Sequence, residues 1–406
     1  MKKIIAILYS TFLLLSHSTA IYGREPYHAT ITVNNVNASV SAPNLVDLKR
    51  ELKTTSLESL LPIYTPTSPV SLDINLRGLI AFTSFAANST TLVVNIPNAG
   101  ITTTFDGGTR DQSLTLFKEF IKEGSAVPRL LRAYARYSPI DPIAGNPNSL
   151  MAQMAQSDYL VGHLSPLSGC DCCWSAQPIV HQFQTGTFAS RAFSKGFDTT
   201  TVTLPLRYSY SKDHHWALIV DVPFTYNRNG GASSVFGSLG IGIRVPIFSN
   251  WSITPTIRGG AGGSLDLCTS GSFVSTGLVS VYNCKLFKHV LSLTNYVGYF
   301  ASTNLWLTGV NFNYHLHNTI FKNGLSCTSC KGFTICNRPI NFKVSVEDTY
   351  FAGDRLFIRH YDEVSIALIT HCVNPYIDYD CLSIGIAYQF GQESYKSYAL
   401  NFAYQF

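Results

Sequence analysis

The sequence predicts a mainly β fold: an antiparallel transmembrane β-barrel of about twelve strands, preceded by a small α+β domain and a linker helix. Three observations predict it. The chain opens with an export signal. Its second half repeats a two-residue alternation over runs long enough to cross a bilayer. Aromatic content rises between the halves, from 12 aromatics in residues 21–175 to 37 in residues 176–406.

Composition narrows the classes first. Of 406 residues, 46% are apolar and 13% charged, about half the usual charged share. That excludes a disordered chain, a coiled coil and a strongly basic nucleic-acid binder, so no nucleic-acid partner is expected. Residues 1–20 read as a signal peptide: Lys2 and Lys3, an apolar run from Ile4 to Leu15, then Ser18-Thr19-Ala20. The run is too short to span about 30 Å of hydrocarbon as a helix. No later stretch reaches 18 apolar residues, so any crossing is made by strands.

Residues 21–148 read as an exported α+β domain. Tyr27 to Val40 and Val70 to Ile96 alternate like strands, and Asp106-Gly107-Gly108 is a turn. Leu114, Phe117, Phe120 and Ile121 fall at helical spacing within Asp111–Lys122, with Gly124 as a stop. A second short helix over 127–137 sets Leu130, Leu131 and Tyr134 against a solvated face of Arg129, Arg132 and Arg136. Three prolines in 139–148 suggest a rigid linker, and Ser149–Val161 a third helix capped by Asn148 or Ser149. Residues 149–178 thus form a linker helix and a Cys-rich segment, and 179–406 the barrel.

In the barrel, successive side chains point to opposite faces of a strand. Tyr398, Leu400, Phe402, Tyr404 and Phe406 alternate with Ala399, Asn401, Ala403 and Gln405. Leu239-Ile241-Ile243-Val245-Ile247 does the same against Gly240, Gly242 and Arg244. Strands are expected near 179–193, 199–210, 215–226, 236–248, 251–262, 273–284, 289–300, 305–317, 341–351 (with a bulge), 361–371, 381–391 and 397–406. A soluble sandwich also alternates, but it hides its apolar face against a second sheet. A charge on the lipid face costs about 2–4 kcal/mol at mid-depth. Arg207, Asp221, Arg244 and Arg258 are therefore candidate lumen-lining residues, either as a polar pore lining or as a salt-bridged plug.

A chain that ends on an aromatic strand, through Phe402, Tyr404 and Phe406, resembles the assembly signal of bacterial outer-membrane barrels. That resemblance implies the outer membrane of a Gram-negative cell, with the lipid bilayer and the barrel-assembly machinery as partners. An exported domain, then a helix, then about twelve strands from 149 to 406 resembles autotransporters, particularly solitary barrels with a small exported domain. In that family the helix threads the lumen. The chain departs from it in lacking a solenoid repeat and an Asn-Asn pair beside the helix.

The resemblance places the end of the last strand in the periplasm. Counting back puts Ser211–His214, Ser249–Asn250 and Cys284–Lys288 on that side as turns, with 318–340 as a long periplasmic segment and 227–234 and 263–272 outside. Ten cysteines in an exported chain favour disulfides, with intermolecular bonds left open. Candidates are Cys170, Cys172, Cys173, Cys327, Cys330, Cys336, Cys372 and Cys381, and Cys372 with Cys381 across one turn is a plausible pair. Cys327-x-x-Cys330 is half a zinc site without a second half. No Gly-x-Ser-x-Gly elbow or phosphate loop occurs. His214-His215 reads as a solvated turn, and His315 and His317 as lumen polarity. No cofactor, metal or catalytic residue is expected. Display or holding of the small domain, a small porin and a cross-linked envelope protein are the functions in view.

Overall fold

The computed structural model describes residues 24–123, 126–162, 179–212, 216–307, 309–329, 333–335, 338–370 and 381–405. The signal peptide, Gly124, Cys170, Cys172, Cys173, His214, His215, Cys330, Cys336, Cys372 and Phe406 lie outside the described residues.

The N-terminal part carries β1 (Tyr27–Val33), β2 (Val36–Ala42), α1 (Leu45–Glu51), α2 (Thr54–Leu60), β3 (Val70–Leu76), β4 (Leu79–Phe85), β5 (Leu92–Ile96), β6 (Ile101–Phe105), α3 (Arg110–Glu123) and α4 (Val127–Tyr137). The six strands form one antiparallel sheet in the order β2-β1-β3-β4-β5-β6. Alternate residues Ala29, Ile31, Val33, Leu72, Ile74, Leu92 and Val94 are buried. They share a core with Leu45, Leu48, Leu57, Leu114, Phe117 and Leu130 of the helices. Helices α1 and α2 were not anticipated; Asn44 caps α1 by accepting from Asp47 N at 2.9 Å.

After α5 (Leu150–Val161), the strands are β7 (Ile179–Ser194), β8 (Phe197–Leu204), β9 (Leu206–Lys212), β10 (Trp216–Asp221), β11 (Phe224–Asn229), β12 (Ala232–Phe248), β13 (Trp251–Ser264), β14 (Thr269–Leu286), β15 (His289–Thr303), β16 (Leu305–Leu307), β17 (Val310–Phe312), β18 (His317–Ser329), β19 (Phe333–Ile335), β20 (Arg338–Gly353), β21 (His360–Thr370), β22 (Cys381–Gly391) and β23 (Lys396–Gln405). The last pairs with the first, Lys396 opposite Phe193 and Gln405 opposite Gln184, so the sheet closes. Segments β8 and β9 make one stave, and β10 and β11 another, giving a closed antiparallel barrel of twelve. This is the closed, even-stranded barrel that bacterial outer-membrane proteins use.

Both split staves break at proline. Pro205 and Pro223 have no N–H to give the ladder. Leu206 and Val222 exchange backbone bonds of 3.3 and 2.7 Å across the gap instead.

The outward positions are apolar and bare. Ile241, Ile243, Ile257, Val274, Leu278, Leu293, Val297, Ile366, Ile384 and Ile386 are all exposed. Inward positions of the barrel carry Thr201, Thr203, Ser209, Thr225, Ser252, Thr254, Thr256, Ser275, Ser292 and Thr294, all buried. An apolar surface of this extent is not stable in water. It fits lipid, where a closed barrel satisfies every backbone group.

Several expectations are corrected. The run 305–317 is not a stave: Leu305–Leu307 and Val310–Phe312 form a small separate hairpin, and Gly309 (φ +82°) and His315 (φ +51°) turn the chain. The stave is His317–Ser329 and β20 opens at Arg338, so 318–329 and 338–340 are barrel wall, and the connection between β15 and His317 lies at the opposite end. His317 is exposed beside Tyr299, whose hydroxyl lies 3.0 Å from Nδ1, so it is not luminal. The wider turns expected at 227–234 and 263–272 shrink to Gly230–Gly231 and Leu265–Cys268. The bulge expected in 341–351 is absent, and the register shifts between Pro246 and Phe248 instead.

The belt yields a prediction. Ile257→Arg lies mid-stave and should cost about 2–4 kcal/mol, whereas Val235→Arg, near the rim, should cost about 0–1 kcal/mol. Unfolding by denaturant in lipid vesicles measures both. Equal costs would contradict a lipid-facing belt.

Candidate functional site

The lumen is entered from the N-terminal domain. The turns at Lys195–Gly196, Gly230–Gly231, Leu265–Cys268 and Asp354–Arg359 lie at one end of the barrel, and the domain sits on that end. Arg24 N donates to Gly196 O at 2.9 Å, Gly231 N donates to Glu25 Oε2 at 3.2 Å, and Arg132 pairs with Asp354 at 2.7 Å. Phe197, Ala232 and Leu267 of the barrel belong to the domain's own hydrophobic core.

The proline segment between them is a packed joint rather than a spacer; residues 138–150 are all buried. Asp141 organises it. Its Oδ1 accepts from Ile143 N and Ala144 N at 3.0 Å each, and Tyr314 donates to the carboxylate at 3.0 Å. Arg77 Nη1 stands 3.7 Å from Asp141 Oδ2, with its guanidinium 3.5 Å from the centroid of the Tyr134 ring. Burial pushes the Asp141 carboxyl up from its ordinary range; Arg77, the two N–H groups and Tyr314 pull against it. Ile358 N donates to Gly145 O at 2.9 Å and Asn227 Nδ2 to Asn148 O at 2.8 Å, so barrel backbone and side chain grip the joint.

From there α5 descends into the barrel. Leu150, Met151, Ala152, Met154, Ala155, Asp158, Tyr159 and Val161 are buried, while Gln153, Gln156, Ser157 and Leu160 form one half-buried face. Ser149 stands at the N-cap but its hydroxyl donates to Asn146 O at 2.6 Å rather than capping α5. The wall makes room with glycine. A Cβ at Gly260 would meet Met154 and Leu150, one at Gly242 would meet Val161, and one at Gly324 would meet the Tyr159 hydroxyl.

Charge fixes the helix at mid-barrel. Arg258 Nε donates to Asp158 Oδ1 at 2.7 Å and Nη2 to Asp221 Oδ2 at 2.8 Å. Arg207 Nε reaches Asp221 Oδ1 at 3.1 Å, and its Nη1 donates to Leu160 O at 3.1 Å. Ser238 takes Arg258 Nη1 at 3.0 Å, and Tyr296 donates to Asp158 Oδ2 at 3.3 Å. On the other side, Lys322 pairs with Glu347 at 2.7 Å and lies 5.1 Å from the Tyr159 ring centroid. Gln389 bonds Glu363 at 2.6 Å and receives Tyr395 at 2.8 Å.

Of the residues singled out from sequence, Arg207, Asp221 and Arg258 thus meet in one buried network. Arg244 also faces inward but lies toward the far end, where its Nε donates to Ser252 Oγ at 3.1 Å. Asp158, Tyr159, Lys322, Glu347 and Glu363 were not singled out. Lys322 would have been found by reading the stave as His317–Ser329, where it takes an inward position.

Among the cysteine candidates, Cys327 carries a free thiol, as do Cys268 and Cys284. Cys381 begins β22. Phe402 and Tyr404 lie in β23, half-buried. Among the described residues one metal-capable cluster occurs, Asp348, His360 and Asp362 near the domain end, with His360 Nε2 2.6 Å from Asp348 Oδ1 and 3.9 Å from Asp362 Oδ1.

A prediction follows from the network. Asp158→Ala leaves Arg207 and Arg258 to share Asp221 and should cost about 3–5 kcal/mol, while the joint change Asp158→Leu with Arg258→Met should cost much less. Unfolding midpoints of the detergent-solubilised protein test this. A single variant as stable as the double would contradict a buried pair.

By sequence the chain matches no protein-family model and no curated protein. By structure it is similar to the β domain of the Bordetella autotransporter Brka, at TM-score 0.42 and 11% identity over 56% of this chain and 99% of that one. It is similar to the translocator domain of the autotransporter NalP from Neisseria meningitidis, at TM-score 0.42 and 9% identity over 63% and 97%. It is also similar to an outer membrane channel from Pseudomonas putida F1, at TM-score 0.38 and 11% identity over 58% and 97%.

Proposed function

We propose that this protein is an outer-membrane barrel that holds its own N-terminal domain at the cell surface, autotransporter-like in layout. The observation that carries the reading is the path of the chain: domain on the barrel's end, buried joint at the mouth, helix α5 inside. The strand β23 starts at the domain's end with Lys396 and runs away from it to Gln405. With the last strand ending in the periplasm, as in the barrels it resembles, the domain faces outward.

The arrangement favours holding over release. The joint at Asp141 and the pair Asp158–Arg258 tie the chain at two depths. At the depth of Arg258 the lumen holds a helix and neutralised charges rather than an open polar lining, which weighs against a small porin. A second reading, cross-linking within the envelope, is favoured by one feature. Cys284 and Cys327 both stand opposite Leu291 in neighbouring staves, on its two sides.

The test is an epitope tag inserted in the exposed turn at Thr65–Ser68 and probed with antibody on intact cells. Display predicts labelling without permeabilisation and cleavage of the domain by added protease. Labelling only after permeabilisation would overturn it. For the second reading, a band of higher mass on non-reducing gels, lost on Cys284→Ser with Cys327→Ser, is expected; identical mobility would remove it.

A further inference from the structure

We propose that the cleft between helix α4 and the Asp354–Arg359 turn of the barrel is a binding site for a compact, multiply charged anionic group of the phosphate- or sulfate-ester class. The cleft has a volume of about 380 Å³ and is lined by Arg129, Arg132, Arg136, Asp354 and Arg355, with Asn98 at its edge. That is room for one such group with an attached sugar-sized body.

Its charge is one-sided. Arg129, Arg132 and Arg136 recur at helical spacing on the exposed side of α4, opposite the buried Leu130, Leu131 and Tyr134. Arg355 adds a fourth guanidinium from the barrel. Asp354 is the one carboxylate in the lining and is already engaged. Its Oδ1 takes Arg132 at 2.7 Å, and its Oδ2 takes His317 N at 2.8 Å. Four cations against one anion leave three positive charges in the lining. Among the described residues, Arg129 donates to a backbone carbonyl, Gly100 O at 3.4 Å, and Arg136 lies over the neighbouring Tyr137 ring at 5.1 Å. Both keep donors for a ligand.

The chemistry selects the ligand class. All four cations are arginine, whose planar fork bonds two oxyanion oxygens at once. A tetrahedral phosphate or sulfate presents such oxygen pairs in several directions, so several arginines can share it. The walls come from two parts of the chain, so the site exists only while the domain is docked. It goes beyond the holding function and needs the domain at the mouth, whichever side of the membrane that mouth faces.

The test is isothermal titration of the full chain in neutral detergent with glucose 6-phosphate, with glucose as the uncharged control. Dihexanoyl phosphatidic acid, kept monomeric, is the lipid-headgroup arm. Saturable binding of at least one phosphate-bearing probe and none of glucose is expected, weakening as salt is raised. Arg136→Ala and Arg355→Ala, each at an exposed position, should each weaken it about tenfold, the loss of one charge-assisted contact. Preference for the sugar phosphate or the lipid identifies the source. Absence of saturable binding to either phosphate probe, or unchanged affinity in both folded variants, would overturn the site.

Discussion

Arg258 sits fully buried at the middle of the barrel, and the rest of the assembly depends on how that charge is met. Two carboxylates meet it from two directions, Asp221 from the neighbouring wall and Asp158 from a helix that belongs to another part of the chain. A lone guanidinium there would carry a large desolvation penalty. The barrel wall alone supplies one acid for Arg207 and Arg258 together. The helix supplies the second acid and brings neutrality to the group. The wall and the helix are thus electrostatically incomplete without each other.

Packing agrees with charge. Wall glycines at 242, 260 and 324 face the helix where any side chain would collide with it. Above the helix, the joint at Asp141 ties Arg77 of the domain to Tyr314 of the barrel loop. The domain's hydrophobic core then runs on into Phe197, Ala232 and Leu267 at the barrel turns. Domain, joint, helix and wall form a continuous series of buried contacts. That continuity distinguishes a held domain from a tethered one.

Much of this was legible in the sequence because barrel staves obey a strict two-residue period. Tyr398 to Tyr404 and Leu239 to Ile247 could be assigned to faces without any contact information. The error at 305–317 came from the same rule. Trp306, Asn311, Asn313 and Leu316 mimic alternation, but backbone turns at Gly309 and His315 break it. The real stave, His317–Ser329, is disguised by Lys322 and Ile320 on its inward face, where an apolar residue and a charge are both tolerated against helix α5. Asp158 was invisible for a different reason. A single acid in a helix has a meaning only once its partner, 100 residues away, is known. Prolines 139, 142 and 147 read as a spacer because nothing local shows that Asp141 and Tyr314 enclose them.

The central claim is that α5 lies inside the closed barrel against β13. A double variant, Met154→Cys with Gly260→Cys, tests it most directly, since the smaller side chain at 154 removes the closest contact that a Cβ at 260 would meet. After mild oxidation of the folded protein, mass spectrometry of its peptides should find residues 154 and 260 joined. A folded barrel in which these two thiols never cross-link would contradict the account.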